Sequence, residues 1–222
     1  MKIGKLIVAV LLLVTLWTPL HSEQADGITH RRIRVVIDPG QGGRDPGAIG
    51  IDGVHEADIN LAIGRLVFLK ALTDPLIEII LTRSDDRFIA PIQRALFANE
   101  IRADLFVSIH GNGFYNPQAH GIETLIHTTA GQESYLLAAT IQRHLIGSLG
   151  ARDRGVRRQF LFIRRAQMPA VLVEVGFVSN PVEGRLLQTF AHQSQIATAI
   201  LAGIREFATT HSHLLGSATA TR

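Results

Sequence analysis

The stretch Val35-Val36-Ile37-Asp38-Pro39-Gly40-Gln41-Gly42-Gly43-Arg44-Asp45-Pro46-Gly47 decides how this chain folds. Its first three residues are β-branched and favour a buried strand. The ten residues that follow include four glycines, two prolines and two aspartates, which favours a rigid polar turn. Because strands commonly present functional side chains on the loops that follow them, this loop is the first candidate for chemistry.

Strand-like and helix-like segments alternate along the rest of the chain. Apolar runs bounded by turn residues predict strands at 33–37, 77–81, 105–109, 121–127 and 170–175, with an irregular segment or edge strand at 156–163. Apolar residues at helical spacing predict helices at 57–71, 91–101, 133–149 and 194–209, and a further helix start at 180–183. The alternation predicts an α/β fold, a three-layer sandwich with a mostly parallel sheet flanked by helices.

The N-terminus has the pattern of an export signal. Lys2 and Lys5 precede an apolar run at 6–14 that is short for a membrane span. We predict a signal peptide at 1–22, or an uncleaved N-terminal anchor because no clear cleavage site is present. A linker at 23–32, one folded domain at 33–209 and a disordered tail at 210–222 complete the predicted organisation.

Composition excludes several classes of protein. The sequence has no cysteine, which excludes disulfides, thiolate metal ligands and a lipid-modified cysteine anchor. The formal net charge is +3, but two of the three lysines lie in the predicted signal, so the body of the chain is nearly neutral. Nucleic acid is therefore not an expected partner.

Polar residues end or follow the predicted strands. Gln41 and His110 follow strands, Glu174 lies near the end of one, and Glu56 precedes the first helix. The carboxyl ends of parallel strands share one edge of a sheet, so these side chains can converge there. An imidazole, a carboxylate and a neutral ligand with an open fourth position are typical of catalytic zinc, and a second carboxylate can take a proton from the zinc-bound water.

Simpler interpretations exist for each of these residues. A glutamate before a helix is commonly favoured by the helix dipole, and a histidine after a strand is commonly a hydrogen-bonded loop residue. Glu174 is harder to explain in this way. Its neighbours Val171-Leu172-Val173 and Val175 are apolar, and burial of an unpaired carboxylate is costly.

Several long motifs, in order, resemble the zinc-dependent N-acetylmuramoyl-L-alanine amidases of bacterial cell walls, which have a phosphorylase/hydrolase-like sandwich fold. The resemblance covers residues 33–207 and rests on VVIDPGQGGRDPGAIG (35–50), LTRSDDRFI (81–89), ADLFVSIHGNGF (103–114), HGIET (120–124) and MPAVLVEVGFVSNPVEGRLL (168–187). It implies that the folded domain cleaves the amide between the lactyl group of N-acetylmuramic acid and the L-alanine of the stem peptide. Peptidoglycan is then the partner, Zn²⁺ the cofactor, and the periplasm, cell envelope or exterior the location.

The resemblance also implies roles for single residues. The family's three metal ligands correspond to Gln41, Glu56 and His110, and its catalytic glutamate corresponds to Glu174. Gln41 departs from the family pattern, which has histidine there, and a neutral amide oxygen is a weaker zinc ligand than imidazole. His55 or His120 could compensate. The alternative function is a metal-poor pseudo-amidase that binds peptidoglycan or regulates its turnover.

Two further expectations concern access and substrate binding. Family members controlled by an activator carry an inserted helix between the second histidine and the catalytic glutamate, whereas residues 111–173 here leave no room for one. We therefore expect an open groove, no obligatory activator and a monomer. Arginines concentrate before the last predicted strand, and Asn112, Arg157 and Arg164 are candidate substrate-binding residues. The alternative for the arginines is a solvated loop.

Overall fold

A six-stranded sheet forms the centre of residues 31–215, the part of the chain that the computed structural model describes. The strand order is β2-β1-β3-β6-β4-β5. The β4–β6 pair is antiparallel and the other four pairs are parallel. The strands are β1 (Ile33–Pro39), β2 (Ile77–Leu81), β3 (Leu105–Asn112), β4 (Ile122–His127), β5 (Asp153–Gln159) and β6 (Ala170–Phe177).

Helices connect the strands and cover both faces of the sheet. They are α1 (Glu56–Ala71), α2 (Pro91–Glu100), α3 (Gln132–Leu149), α4 (Glu183–Leu187), α5 (Phe190–Thr210) and α6 (Ser212–Leu215), with 3₁₀ turns at Ile51–Gly53 and Phe162–Arg165. Helices α1, α3 and α5 pack together on one face, while α2 and the second 3₁₀ turn cover the other. The predicted three-layer α/β sandwich is confirmed.

Alternation along the strands divides the core into two layers. Val35, Val107 and Val173 belong to the larger cluster, which includes the buried faces of α1, α3 and α5. Their neighbours Phe106 and Leu172 belong to the smaller cluster beneath α2. All five side chains are buried, so both faces of the central strands are packed.

The face beneath α2 becomes polar toward the carboxyl ends of β1, β3 and β6. Asp38 follows Val36 in the same row, Ser108 and His110 follow Phe106, and Glu174 follows Leu172. Cross-strand register places His110 directly beside Glu174. The fold therefore concentrates polar groups at one edge of one face.

Several element boundaries differ from the predicted ones. Strand β3 extends to Asn112 and β6 to Phe177, because ladder pairing continues past the apolar runs. The segment predicted as irregular or edge strand is the edge strand β5, which begins earlier, at Asp153. Helix α5 starts at Phe190, where the Thr189 side chain accepts a hydrogen bond from the His192 amide at 3.3 Å.

The predicted disordered tail at 210–222 begins too early. Helix α5 continues through Thr210, and α6 follows with Leu215 packed against the larger core cluster. The predicted signal or anchor at 1–22, most of the linker and the residues after 215 lie outside the described part. Within residues 31–215, no helix combines the length and apolar character needed to cross a membrane.

Candidate functional site

The loop between β1 and α1 brings Gly40 against His110 and Gln41 beside Glu56. Gln41 has a left-handed backbone conformation, with φ of 61°. Gly40 lies directly against the His110 imidazole, and a Cβ atom there would be 2.3 Å from the ring. Only glycine allows this approach, which explains its place immediately before Gln41.

Two buried arginines hold the backbone of this loop. Arg94 donates to the Asp38 carboxylate at 2.9 Å and to the Gln41 carbonyl at 2.7 Å. Arg83 donates to the Pro39 and Gly40 carbonyls at 2.8 and 2.7 Å. Because Arg94 and Asp38 are both almost fully covered, this charged pair is well shielded from water. The buried side chains of Arg83 and Arg94 therefore fix the position of the β1–α1 loop.

Glu56 and His110 form the centre of the site. His110 Nδ1 lies 2.9 Å from Glu56 Oε1. Glu56 is the first residue of α1, and its oxygens accept the Ala48 amide at 2.9 Å and the Asn60 side chain at 3.2 Å. These donors fix the orientation of a carboxylate that is only 5% exposed.

The electrostatics of the pair favour a carboxylate beside an imidazolium. Burial would raise the pKa of Glu56, but the hydrogen bond and charge of His110, with the Ala48 and Asn60 donors, hold it below its usual value. Burial would lower the pKa of His110, but Glu56 and the charges of Glu174 and Asp38 raise it instead. The site therefore stabilises positive charge next to Glu56.

The Gln41 carboxamide can take two orientations. In one, Nε2 lies 3.4 and 3.5 Å from the two Glu56 oxygens, which makes long contacts. In the other, the nitrogen lies 2.6 and 3.2 Å from the Asp45 carboxylate oxygens. The shorter contacts favour the second orientation. It turns the amide oxygen toward Glu56.

Glu174 lies beside this group on the neighbouring strand. It is partly buried, and its Oε2 atom has no hydrogen-bond partner among the described residues. Burial raises the pKa of Glu174 to about 7; the Glu56 and Glu123 charges add to the rise and the His110 charge opposes it. A carboxyl group with this pKa can exchange a proton near neutral pH.

The group fits a metal ion with one weak ligand. An imidazole nitrogen, a carboxylate oxygen and an amide oxygen come together around Glu56. His110 Nε2 is also buried without a partner within residues 31–215. In the same range, no three His, Cys, Asp or Glu side chains are spaced to hold a metal. Gln41 is the neighbour of Glu56 whose side-chain oxygen could serve as a third donor. The types of donor suit zinc, with a weaker set than two imidazoles and a carboxylate would give.

The other predicted residues have different locations. Asn112 and Arg157 both contact Glu123, which pairs directly with Glu174 across the β4–β6 ladder. Arg164 lies on the 3₁₀ turn before β6, stacked on Phe160, and is not part of this group. Its role in substrate binding stays a prediction.

Neither proposed substitute histidine joins the site. His55 is exposed at the start of α1, and His120 is exposed and contacts the Gln118 carbonyl at 2.8 Å. The contacts of the described residues therefore give no support to compensation for Gln41 by either histidine.

Sequence reasoning missed two residues, Glu123 and Asp45. Glu123 lies within an apolar strand, as Glu174 does, so the same signal could have identified it. Asp45 gave no comparable signal, because its contact with Gln41 depends on the fold of the loop.

Comparison with known proteins gives a consistent answer. Residues 35–206 match the family model Amidase_3, N-acetylmuramoyl-L-alanine amidase. The uncharacterised protein YqiI of Bacillus subtilis is 41% identical over 175 residues, covering 78% of this chain and 84% of YqiI. The N-acetylmuramoyl-L-alanine amidase LytC of Bacillus subtilis is 38% identical over 168 residues, covering 75% of this chain but only 34% of LytC.

Solved structures agree with the sequence match. The crystal structure of N-acetylmuramoyl-L-alanine amidase from Clostridium difficile 630 is similar with a TM-score of 0.79 and 34% identity, covering 81% of this chain and 98% of that chain. The family model spans most of residues 31–215 and includes all four site positions. This chain belongs to the N-acetylmuramoyl-L-alanine amidase family, whose members hydrolyse an amide bond of peptidoglycan.

Proposed function

We propose that this chain cleaves the amide between N-acetylmuramic acid and the L-alanine of the stem peptide with one Zn²⁺, held by Gln41, Glu56 and His110. Glu174 is the general base and acid of the reaction. The observation that carries the proposal is the 2.9 Å contact between His110 Nδ1 and Glu56 Oε1, with Glu174 paired to His110 in the adjacent strand.

Each residue contributes a separate part of the chemistry. A bound zinc ion polarises a carbonyl oxygen and lowers the pKa of water. Glu56 supplies a negative ligand, oriented by Ala48 and Asn60. Gln41 supplies an amide oxygen, oriented by Asp45. Glu174 accepts a proton from water and delivers it to the leaving nitrogen, a role suited to its pKa of about 7.

The surroundings support an enzyme that works without an activator. Residues 111–173 form the end of β3, then β4, α3, β5, the second 3₁₀ turn and the start of β6. Helix α3 packs against α5 and β4, on the face of the sheet opposite His110. We extend the proposal to an exported monomer with an open groove, acting in the periplasm, the cell envelope or outside the cell.

A second candidate rests on Gln41. An amide oxygen replaces the imidazole at this position, so the chain could be a metal-poor protein that binds peptidoglycan without cutting it. Retention of Glu56, His110 and Glu174 in one constellation favours the enzyme. Gln41 is the only observation that favours the binding protein.

Digestion of purified peptidoglycan separates the two. The zinc-equilibrated protein should release stem peptides with a free N-terminal L-alanine, detected by mass spectrometry. The Glu174→Gln variant should release none while it retains zinc, since Glu174 is not assigned as a ligand. Turnover by Glu174→Gln would remove Glu174 from the mechanism. Peptidoglycan binding without release, by both wild type and Gln41→His, would establish the binding protein.

A further inference from the structure

We infer that Arg157, supported by Arg154, binds the free α-carboxylate of the second stem-peptide residue, so that the enzyme prefers a glutamate there over its amidated form. This inference rests on the proposed function, because it assigns the peptide side of the same groove. It adds a substrate preference that the zinc site and Glu174 do not provide.

Glu123 organises the proposed subsite. Glu123 is only 7% exposed, and its carboxylate contacts three donors. Asn112 donates to Oε1 at 3.1 Å, while the Nε atoms of Arg154 and Arg157 lie 3.1 and 3.4 Å from Oε2. The buried Glu123 carboxylate therefore brings the Asn112 amide and the two guanidinium groups together on one face of the sheet.

The two arginines of this cluster differ in how far they are shielded from solvent. Both lie against Glu123, and Glu174 brings a second carboxyl group to the same face of the sheet. Arg154 is largely covered and also lies over the Phe177 ring at 4.9 Å. The Arg157 side chain is 57% exposed, and its two terminal nitrogens make no hydrogen bond within the described residues. Arg157 therefore has donors available for an anionic ligand.

The distance to Glu174 selects which anion can bind. Glu123 and Glu174 are directly opposed across an antiparallel pair, so their side chains share a face and lie roughly 5 Å apart at Cβ. Arg157 lies one contact beyond Glu123, with its Nε 3.4 Å from Glu123 Oε2. In an extended stem peptide, the α-carboxylate of the second residue lies roughly 6–7 Å from the amide nitrogen of the first. This carboxylate can thus meet Arg157 while the L-alanine amide faces Glu174.

Arginine suits this ligand better than a simple positive charge does. The planar guanidinium matches a carboxylate with two parallel hydrogen bonds, whereas a carboxamide can accept only through its oxygen. Amidation of that carboxylate would remove its negative charge. It would also place an NH₂ group, which is a hydrogen-bond donor, against the N–H donors of the arginine. The preference for the acid form over the amidated form therefore follows from the hydrogen-bonding geometry of the Arg157 guanidinium.

Peptide binding tests the subsite independently of turnover. The probes are the tripeptide L-Ala-γ-D-Glu-L-Lys and the same peptide with its glutamate α-carboxylate amidated, titrated into the full chain and followed by NMR. Wild type should bind the acid form about tenfold more tightly than the amide. Arg157→Gln should bind both forms equally, and Arg157→Lys should keep a smaller preference.

Arg158→Gln is the matched control. It removes the same charge from the next residue of β5, whose side chain donates to the Thr128 and Ala130 carbonyls, away from Glu123. This variant should keep the wild-type preference for the acid peptide. Equal binding of both peptides by wild type, or an unchanged preference in Arg157→Gln, would overturn the inference.

Cleavage of matched synthetic muropeptides completes the test. Arg157→Gln should raise KM for the acid substrate and leave kcat nearly unchanged, because Arg157 does not touch the reacting bond. Equal KM values for the acid and amidated substrates in wild type would overturn the subsite while the amidase stands. Discrimination in peptide binding without cleavage of either substrate would overturn the amidase while the subsite stands.

Discussion

Gln41 takes a backbone conformation that few residues other than glycine adopt, with φ of 61°. Arg94 binds its carbonyl, and the favoured amide orientation places its nitrogen 2.6 Å from Asp45. Contacts at both ends of the residue therefore hold the strained conformation and point the amide oxygen at Glu56. In the proposed zinc site, Gln41 therefore supplies an oriented oxygen, a weaker type of ligand than an imidazole.

The pKa of Glu174, which burial raises, can be tested through the pH dependence of stability. Its folded-state pKa of about 7 lies above the ordinary value of 4.5. In metal-stripped protein, its ionisation therefore opposes folding increasingly as the pH rises through this window. Glu174→Gln removes that effect, so its free energy of unfolding relative to wild type should increase by up to about 2 kcal/mol between about pH 5 and pH 8.

Urea unfolding at several pH values measures this difference. Glu100→Gln is the control, because Glu100 is exposed at the end of α2 and should show no comparable trend. A Glu174→Gln difference that is constant over this pH range would contradict the raised pKa.

Part of the site was predictable from single residues. His110 and Glu174 stand out because each ends or interrupts an apolar strand, and Glu123 carries the same signal. The left-handed φ of Gln41 and its contact with Asp45 depend on how the loop closes against Arg94, so no local pattern indicated them.

At the scale of elements, the β1–α1 loop is fitted to the β3 strand through Gly40. A Cβ at this position would lie within 2.3–2.7 Å of three atoms of the His110 ring. Gly40→Ala should therefore displace the imidazole, lower the affinity for zinc and destabilise the fold by roughly 2 kcal/mol. Zinc titration and urea unfolding of the variant check both effects.

The zinc result separates this effect from general destabilisation. Gly203→Ala creates a comparable clash within the helical layer, far along the chain from the loop, and should leave zinc affinity unchanged. Wild-type zinc affinity in Gly40→Ala would contradict the assigned contact with His110.

The sequence predicted the approximate positions of the helices and strands, but it did not predict all of their first and last residues. The strands predicted at 77–81 and 121–127 correspond to β2 (Ile77–Leu81) and β4 (Ile122–His127), because turn residues bound both segments closely. Strand β6 continues through Gly176, which has a φ of 142°. Glycine has a low propensity for strands, so the sequence did not indicate that the strand extends past it. Ladder pairing with β3 decides its length instead.

At the scale of the whole molecule, α3 and α5 pack against each other in the helical layer that covers one face of the sheet. Gly203 on α5 lies against the backbone of Ile141 on α3, where a Cβ would be 2.7 Å from the Ile141 Cα. Gly203→Ala should push the helices apart and lower the free energy of unfolding by about 1–3 kcal/mol.

Gly147→Ala is the matched helical control. No atom lies within 4 Å of a Cβ at Gly147, which is exposed on α3. This variant should instead stabilise the protein by up to about 1 kcal/mol, because alanine favours the helix. Equal effects of the two variants in urea unfolding would contradict the close packing at Gly203.

The three-layer architecture was predictable because strands and helices alternate in sequence. The antiparallel direction of β4 was not, since its sequence is equally compatible with either direction. The antiparallel pairing places Glu123 opposite Glu174, so the proposed peptide subsite could be inferred only from the assembled sheet.

The most direct test of the account is zinc binding by the purified chain, measured by competition with a chromophoric chelator. We predict one zinc ion per chain, lost in His110→Ala, and bound more tightly, on the order of tenfold or more, in Gln41→His, because imidazole replaces an amide oxygen. No zinc binding by wild type, or the same affinity in wild type and Gln41→His, would contradict a metal site built from Gln41, Glu56 and His110.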